Sequence, residues 1–290
     1  MSKFIDKYFY IFSVGPTVLT MFIVFGIPLG FSFYLSLHGW TPTPSLGGGP
    51  FVGLQNYIFL LEDSKFIQST IFTIVYTVVV VSIELLVGLS IALLLNQEVP
   101  LIRMARSVLA IPMMVTPIVA ALCWKLLLDP QYGFINYLIG QKLGWTGDPF
   151  LAPITVAIVN VWQNAPYVGI LLLAGLRSLP SDPKEAAAID GASAWQTFWN
   201  ITLPGLRPMI LVALLLRTIF EFRTFENVYV LTGGGPAGAT NVLSIYTYGI
   251  TFGQLDFTYG AASSWMMLVT VAILCSIPIL LFRAMDRGRA

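Results

Sequence analysis

Six long runs that are almost free of charged residues constrain the fold of this chain more than any other feature. A membrane-spanning helix needs about 20 apolar residues, and runs of that length fall at about 10–36, 66–95, 107–128, 151–176, 209–231 and 257–282. The chain is 57% hydrophobic and only 10% charged, whereas soluble domains carry about 25% charged residues. The pattern predicts an all-α, multi-pass membrane protein with six transmembrane helices.

The distribution of lysine and arginine predicts the orientation of these helices, because cytoplasmic loops are enriched in both residues. A cytoplasmic N-terminus places ten basic residues inside and three outside. Those inside are Lys3, Lys7, Arg103, Arg106, Arg177, Lys184, Arg207, Arg283, Arg287 and Arg289, and those outside are Lys65, Lys125 and Lys142. We therefore expect one transmembrane domain over residues 1–290 with both termini in the cytoplasm, outer loops at about 38–65, 129–150 and 232–256, and a large cytoplasmic loop at about 177–207.

Composition argues against several classes of function. A formal net charge of +1 gives no support to nucleic-acid binding. Cys123 and Cys275 lie within apolar runs, where two small buried side chains are the simplest interpretation. His38 is the one histidine, so soft ligands are too few for a metal site. The chain has no Walker A pattern, so we expect it not to bind ATP or any other cofactor itself.

The cytoplasmic loop carries signals for two short helices. Asp182 suits an N-cap, and Glu185 three residues later completes a capping-box pattern. Gly191 is placed to end that helix in a left-handed conformation. A second box starts at Ser193, and we expect Leu203-Pro204 to end the helix that follows it. On these signals alone, a docking surface and a simple helical re-entry into the membrane are equally good interpretations.

The spacing within this loop resembles the coupling loop of ATP-binding-cassette (ABC) importer permeases. The loop fits the pattern E-A-A-x-x-x-G-x9-I-x-L-P. In that family the loop is gripped by a separate ATPase subunit. The resemblance implies that this contact is made by Glu185, Ala186, Ala187, Asp190, Gly191, Ile201, Leu203 and Pro204.

Two further segments are similar to the sugar-transporting branch of this family. Residues 51–57 read F-V-G-L-Q-N-Y, which resembles a segment before the second helix of sugar permeases. Residues 231–236 read L-T-G-G-G-P, which resembles a signature of the maltose-permease and glycerol-phosphate-permease type, the first of the two permeases in such importers. The chain lacks the long periplasmic insertion and additional N-terminal helices of the maltose permease, so it is similar to a minimal six-helix member.

This resemblance implies a type I ABC importer fold in a bacterial inner membrane and a set of partners. They are a second homologous permease, two ATPase subunits that bind ATP and magnesium, a periplasmic solute-binding protein, the lipid bilayer and a sugar-like or polyol-like solute. The permease itself would be non-catalytic.

Polar side chains inside two of the apolar runs form a candidate substrate path, because such groups are costly in a membrane. Asn160, Gln163, Asn164 and Tyr167 recur at helical spacing on one face of the fourth run, and Arg217 and Glu221 are four residues apart in the fifth. The positions that contact sugar in the maltose permease correspond to Asn160, Gln163, Asn164, Tyr167, Arg217, Phe220, Glu221 and Thr224.

The charged pair in the fifth run has two interpretations. It orients its helix as a structural ion pair, or it lines the path and hydrogen-bonds sugar hydroxyls. Because the maltose permease has small or amide side chains where this chain has Arg217 and Glu221, we expect a differently functionalised sugar or polyol. An acidic substrate held by Arg217 is a further option, although Glu221 would neutralise that charge.

Glu84 in the second run is a lone carboxylate that either bonds to another helix or sits protonated in an apolar pocket. Together with Glu221 it suggests an alternative from another class, an ion-coupled secondary carrier. Such a carrier gives the polar cytoplasmic loop no role. A scaffold protein is a third option, but it does not explain the polar residues within the membrane.

Overall fold

The computed structural model describes residues 13–41, 49–97 and 102–287. Three residues used above therefore lie outside the described ranges, namely Lys3, Lys7 and Arg289.

Within these ranges the regular structure is helical, apart from one isolated β-bridge between His38 and Phe51. The helices are α1 Ser13–Ser36, α2 Gln55–Glu62, α3 Ser64–Leu95, α4 Ile102–Met114, α5 Pro117–Leu127, α6 Phe134–Ile139, α7 Leu151–Ser178, α8 Asp182–Ile189, α9 Ala194–Phe222, α10 Glu226–Leu231, α11 Leu243–Tyr248 and α12 Phe257–Arg287. Short π-helical turns are included in α1 and α9 or follow α11, at Phe22–Gly26, Phe198–Thr202 and Gly249–Gly253.

Five of these helices, α1, α3, α7, α9 and α12, are long and apolar enough to cross a membrane. The broken pair α4 and α5 gives a sixth crossing if it is counted as one span. The all-α prediction is confirmed, and the first, second, fourth and sixth apolar runs correspond closely to single helices. The other two runs differ from the prediction.

The third run, expected as one span over about 107–128, consists of two helices that meet at an angle of 97°. The break lies at Val115 and Thr116, directly before Pro117. Thr116 has an extended backbone, with φ −63° and ψ 144°. The helical region is sterically disfavoured for a residue before proline, so Pro117 favours a break at Thr116, and as the first residue of α5 it allows the next helix to start.

The fifth run also differs, since the helix expected over about 209–231 ends at Phe222 and resumes as α10. The predicted start of this helix was wrong as well, because the preceding helix does not end at Leu203-Pro204. The chain stays helical from Ala194 to Phe222. A π-turn precedes Pro204, with the N–H of Leu203 bonded to the carbonyl of Phe198. Such a widened turn accommodates a proline ring that a regular helix interior would not.

Within the described ranges two compact units are formed, the first by residues 13–67 and 247–269 and the second by residues 68–246 and 270–287. In the first unit, the amide of Asn56 donates hydrogen bonds of 2.9 Å to the carbonyl oxygens of Ser36 and His38. The hydroxyl groups of Ser36 and Tyr57 are 2.7 Å apart. The segment F-V-G-L-Q-N-Y therefore satisfies backbone groups that are left open where α1 ends.

The second unit contains two clusters of apolar side chains. A polar layer that includes Glu84 lies between the parts of α3 that contribute to these two clusters. On α3, Val80 belongs to the first cluster and Ala92 to the second, with Glu84 between them. The first cluster consists of Tyr76, Val80, Ala121, Val156, Val159, Val228, Leu231, Val242 and Ile245. The second consists of Ala92, Leu95, Val168, Leu172, Leu173, Leu176, Leu206 and Ala213.

Helices α3 and α7 approach each other closely beside this polar layer. A methyl group added at Gly88 would lie 2.6 Å from Cγ1 of Val168, and one at Gly169 would lie 2.7 Å from Cγ2 of Ile91. Small residues at such positions let membrane helices pack backbone to backbone. The close contact holds Glu84 on α3 and the amides of α7 at fixed positions.

Candidate functional site

A polar cleft of about 270 Å³ lies within the second unit, between α7, α9 and α10. Seven of the eight side chains predicted to line a substrate path lie on it. The cleft is lined by Pro117, Asn160, Gln163, Asn164, Arg217, Phe220, Glu221, Arg223, Thr224, Glu226 and Asn227. Tyr167 is not among these residues, because it packs against the second apolar cluster instead.

Three buried charged side chains form one group at the base of this cleft. Arg217 donates from Nε to Oε2 of Glu84 at 2.7 Å and from Nη2 to Oε1 of Glu84 at 2.9 Å. Its Nη2 also donates to Oε2 of Glu221 at 3.0 Å. The side chains are almost wholly buried, with 5%, 0% and 2% of Arg217, Glu84 and Glu221 exposed. Two-pronged contacts of this kind are strong and directional.

The contact between Arg217 and Glu221 is as predicted. For Glu84, the sequence left open a bond to another helix or a protonated carboxyl group in an apolar pocket, and the structure shows the bond. Glu84 bonds across to α9 instead of standing alone. Sequence spacing gave no sign of this partner, because the two residues are 133 positions apart. The signal that was available is chemical, since ionisable groups in membrane segments pair with one another.

A chain of amide side chains continues from the charged group across the cleft. Asn160 donates to Oε1 of Glu221 at 2.7 Å. Asn227 donates to Oδ1 of Asn160 at 2.6 Å and to Oε1 of Gln163 at 3.1 Å. Gln163 in turn donates to the carbonyl oxygen of Val115 at 2.9 Å. The network thus reaches the break between α4 and α5, where it satisfies a backbone carbonyl that the bend leaves without a helical partner.

Sequence reasoning missed two members of this network. Tyr76 on α3 bonds through its hydroxyl to the amide of Asn160. Asn227 on α10 is only 4% exposed and was read as part of an apolar span. An amide in an otherwise apolar run was the available signal. Arg223 and Glu226 also line the cleft.

The cleft is lined mostly by hydrogen-bond donors and acceptors, with Pro117 and Phe220 as its apolar members, which suits recognition of a polar solute. Its formal charges are mixed, because Arg223 and Glu226 add one of each sign to the buried group. Among the residues that the structure describes, no cluster of three or more histidine, cysteine or acidic side chains is arranged to hold a metal ion.

The predicted coupling loop contains a well-defined helix end at Gly191. Gly191 has φ +76°, and its N–H donates to the carbonyl of Ala188 at 3.2 Å. The N–H of Ala192 donates to the carbonyl of Ala187 at 2.9 Å. This pair of bonds is the Schellman motif, which requires a left-handed residue where only glycine is unstrained.

The start of α8 differs from the prediction, and the start of α9 agrees with it. Asp182 is the first residue of α8, Ser181 is its N-cap, and no side chain caps it. The predicted box of Asp182 and Glu185 is therefore wrong, because the helix begins one residue earlier than the pattern implied. At α9, Ser193 and Gln196 form a complete capping box.

The loop presents both exposed polar residues and an aromatic cluster. Trp195 contacts Phe198 and Trp199 with ring centroids 6.3 and 5.6 Å apart, although Trp195 remains 70% exposed. Of the predicted coupling residues, Glu185, Ala186, Asp190 and Gly191 are exposed, and Ala187, Ile201, Leu203 and Pro204 are half-buried. The motif thus has an accessible part on α8 and a packed part within α9.

Comparison with known proteins identifies the family. The model of the family described as "Binding-protein-dependent transport system inner membrane component" matches residues 84–290. The chain belongs to this family. The permease is 40% identical to a probable ABC transporter permease protein of Sinorhizobium fredii, over 94% of this chain and 90% of that protein.

Relatives with named substrates are also similar along most of their length. The trehalose/maltose transport system permease protein MalF of Thermococcus litoralis is 39% identical over 88% of the permease and 86% of that protein. The trehalose transport system permease protein SugA of Mycobacterium tuberculosis is 34% identical over 95% and 89%. These relatives support the ABC importer permease over the ion-coupled carrier.

The fold is that of a type I ABC importer permease. The permease superimposes on a chain of a bacterial ABC transporter that imports the acidic polysaccharide alginate, with a TM-score of 0.83. The two are 19% identical, and the match covers 97% of the permease and 98% of that chain. The predicted fold class is therefore confirmed, and the orientation of the termini stays a prediction.

Proposed function

We propose that this permease is the membrane subunit of an ATP-driven importer for a sugar, an oligosaccharide or a related polyol. The observation that carries the proposal is a polar, amide-lined cleft inside a chain of the binding-protein-dependent family. The names of two relatives, a trehalose/maltose and a trehalose permease protein, support a carbohydrate. A third, from Thermoanaerobacterium thermosulfurigenes, is a probable permease protein for starch degradation products.

The substrate path runs through the polar cleft. Asn160, Gln163 and Asn164 on α7 line the cleft together with Glu221 on α9 and Thr224 just after α9, so the hydroxyl groups of a solute meet donors and acceptors there. Burial of a sugar hydroxyl without a partner costs a few kcal/mol, and the cleft offsets that cost. Binding there is weak, because a permease must release what the binding protein has captured.

The permease works within an assembly. Its partners are a second homologous permease, two ATPase subunits and a periplasmic solute-binding protein. The loop at about 177–207 inserts Glu185, Ala186, Ala187, Asp190 and Gly191 into an ATPase subunit, with Ile201, Leu203 and Pro204 fixing the return to the membrane. ATP and magnesium are bound by those ATPase subunits, and this chain performs no covalent chemistry.

The assembly resides in the inner membrane of a bacterium. The excess of lysine and arginine on one side supports termini in the cytoplasm and outer loops at about 38–65, 129–150 and 232–256. The accessible polar part of α8 supports a docking role for the loop that carries it.

Reconstitution of the complete importer in liposomes tests this function. The permease, its partner permease, the ATPase subunits and the binding protein are combined, and uptake of labelled trehalose and of labelled maltose is measured. We expect ATP-dependent uptake of at least one of them in the absence of any ion gradient. Uptake that requires an ion gradient and does not depend on ATP would instead establish an ion-coupled secondary carrier.

A further inference from the structure

One atom in the polar cleft lacks a hydrogen-bond partner. Oδ1 of Asn227 is buried, yet it accepts no hydrogen bond within the part of the chain that the structure describes. The whole residue is 4% exposed, and it lines the cleft. Buried polar atoms are almost always paired, and leaving one unpaired destabilises the structure. A donor from outside the chain that reaches this acceptor would offset that destabilisation.

The orientation of the Asn227 amide is determined by its neighbours. Gln163 must turn its NH₂ group towards the carbonyl oxygen of Val115, so its own oxygen faces Asn227. Asn160 must turn its NH₂ group towards the carboxylate of Glu221, so its oxygen also faces Asn227. Two acceptors on one side require the NH₂ group of Asn227 there. Its oxygen is therefore the atom left over.

The charges around the cleft indicate which donor it takes. The guanidinium of Arg217 is held by two carboxylates, those of Glu84 and Glu221, so the buried group has no excess positive charge. Arg223 and Glu226 line the same cleft with opposite formal charges. An anionic solute would therefore exchange its hydration for a site without net positive charge, and such a transfer is unfavourable.

We propose that Asn227 accepts a hydrogen bond from a hydroxyl group of an uncharged, polyhydroxylated solute, and that the cleft discriminates against analogues bearing a carboxylate or phosphate. This inference rests on the proposed function, in which the cleft is the substrate path. It assigns a specificity role to a residue on α10. It also gives Glu84, which lies behind Arg217 and outside the cleft lining, an indirect role in charge selection.

The hydroxyl contact is tested with the complete importer in lipid nanodiscs and without the binding protein. Saturation-transfer NMR measures binding of trehalose, of maltose, and of analogues in which one hydroxyl is replaced by fluorine. We expect one analogue to bind the wild type roughly tenfold more weakly than its parent sugar. In Asn227→Leu the parent and that analogue should bind equally, because the acceptor is gone.

Combining the protein variant with the sugar analogues, as in a double-mutant cycle, separates loss of the contact from structural damage. If Asn227→Leu weakens the parent and all analogues by the same factor, or if no analogue differs from its parent in the wild type, the contact does not exist. The matched control is Gln254→Leu, which makes a similar change at an exposed residue that does not line the cleft. It should leave all affinities unchanged.

Charge selection is tested with two derivatives of the same sugar, oxidised at one C6 position to a carboxylate or converted there to a neutral amide. The wild type should bind the carboxylate roughly tenfold more weakly than the amide. Glu84→Gln keeps an oxygen for Arg217 and moves the charge of the buried group by one unit towards positive. We expect it to reduce the difference between the two derivatives, and an unchanged difference would overturn this half of the inference.

The two proposals fail in different ways. If liposomes take up neither trehalose nor maltose with ATP, the proposed function loses its support whatever the NMR shows. If they take up a sugar whose binding depends neither on a single hydroxyl at Asn227 nor on charge, the inference is wrong and the importer function stands.

Discussion

The guanidinium of Arg217 on α9 donates two hydrogen bonds, of 2.7 and 2.9 Å, to the carboxylate of Glu84 on α3. No part of the Glu84 side chain is exposed. The pair fixes both the separation and the rotation of the two helices, because a fork of two bonds permits little movement. In a buried setting, a lone charge left by loss of its partner is far more costly than the intact pair.

Removal of Arg217 alone should therefore destabilise the permease severely. We expect Arg217→Leu to lower the free energy of unfolding by about 3–5 kcal/mol, measured as a fall in the thermal unfolding midpoint of the purified protein. The double variant Arg217→Leu with Glu221→Leu should remain unstable, since Glu84 is still stranded. Addition of Glu84→Leu to this double variant should raise the thermal unfolding midpoint again. Equal stability of the double and triple variants would show that Glu84 is not part of the charged group.

Asn164 and Tyr167 should differ in function, although both belong to the polar stripe predicted on α7. Asn164 lines the cleft and donates to the carbonyl of Asn160 at 3.0 Å, whereas Tyr167 packs against apolar residues. We expect Asn164→Leu to abolish sugar uptake while ATPase activity stimulated by the binding protein survives. Tyr167→Phe should transport within about twofold of wild type. Loss of uptake in Tyr167→Phe would return its hydroxyl to the substrate path.

Gly191 offers a test of the loop that depends on backbone conformation alone. A side chain at this position meets open space, so the effect of a substitution comes from φ +76°. Asparagine tolerates this region and valine does not, at a cost of roughly 1–2 kcal/mol. In reconstituted importer, Gly191→Val should lower the ratio of sugar transported to ATP hydrolysed, and Gly191→Asn should retain it. Equal ratios of sugar transported to ATP hydrolysed in the two variants would show that the left-handed conformation at Gly191 has no part in coupling.

Labelling of single cysteines tests the orientation. In a background with Cys123 and Cys275 replaced by alanine, Gln131→Cys lies in a predicted outer loop and Ala194→Cys in the predicted coupling loop, and both positions are exposed. An impermeant thiol reagent applied to intact cells should modify position 131 only. Modification of position 194 instead would reverse the topology and remove the loop from the reach of a cytoplasmic ATPase.

Hydropathy was sufficient to place most membrane helices but not the breaks in two of them. The break at Thr116 lies inside a run that is apolar on both sides. The break after Phe222 is marked by Arg223 and Glu226, but the run was read as continuous across these two charges. Proline gave an ambiguous signal, because Pro117 starts a helix while Pro166 and Pro208 are accommodated inside helices. Tertiary packing decides between these outcomes, and a single sequence does not contain it.

For the cleft too, the sequence predicted which residues share one helix face but not their partners on other helices. Helical spacing placed Asn160, Gln163 and Asn164 on one face, since neighbours three and four apart lie together. The partners of those residues, Tyr76, Glu221 and Asn227, come from other helices and share no period with them. The family resemblance supplied Phe220 and Thr224, and the structure brings both to the cleft.

The uninterrupted helix from Ala194 to Phe222 has a mechanical consequence. Trp195 and Arg217 lie on the same rod, roughly 33 Å apart at 1.5 Å per residue. If the rod pivots near one end by about 10°, the far end is displaced by roughly 6 Å. In the proposed coupling, work done on the loop would therefore reach the buried charges through rotation of one helix, without a series of local rearrangements between them.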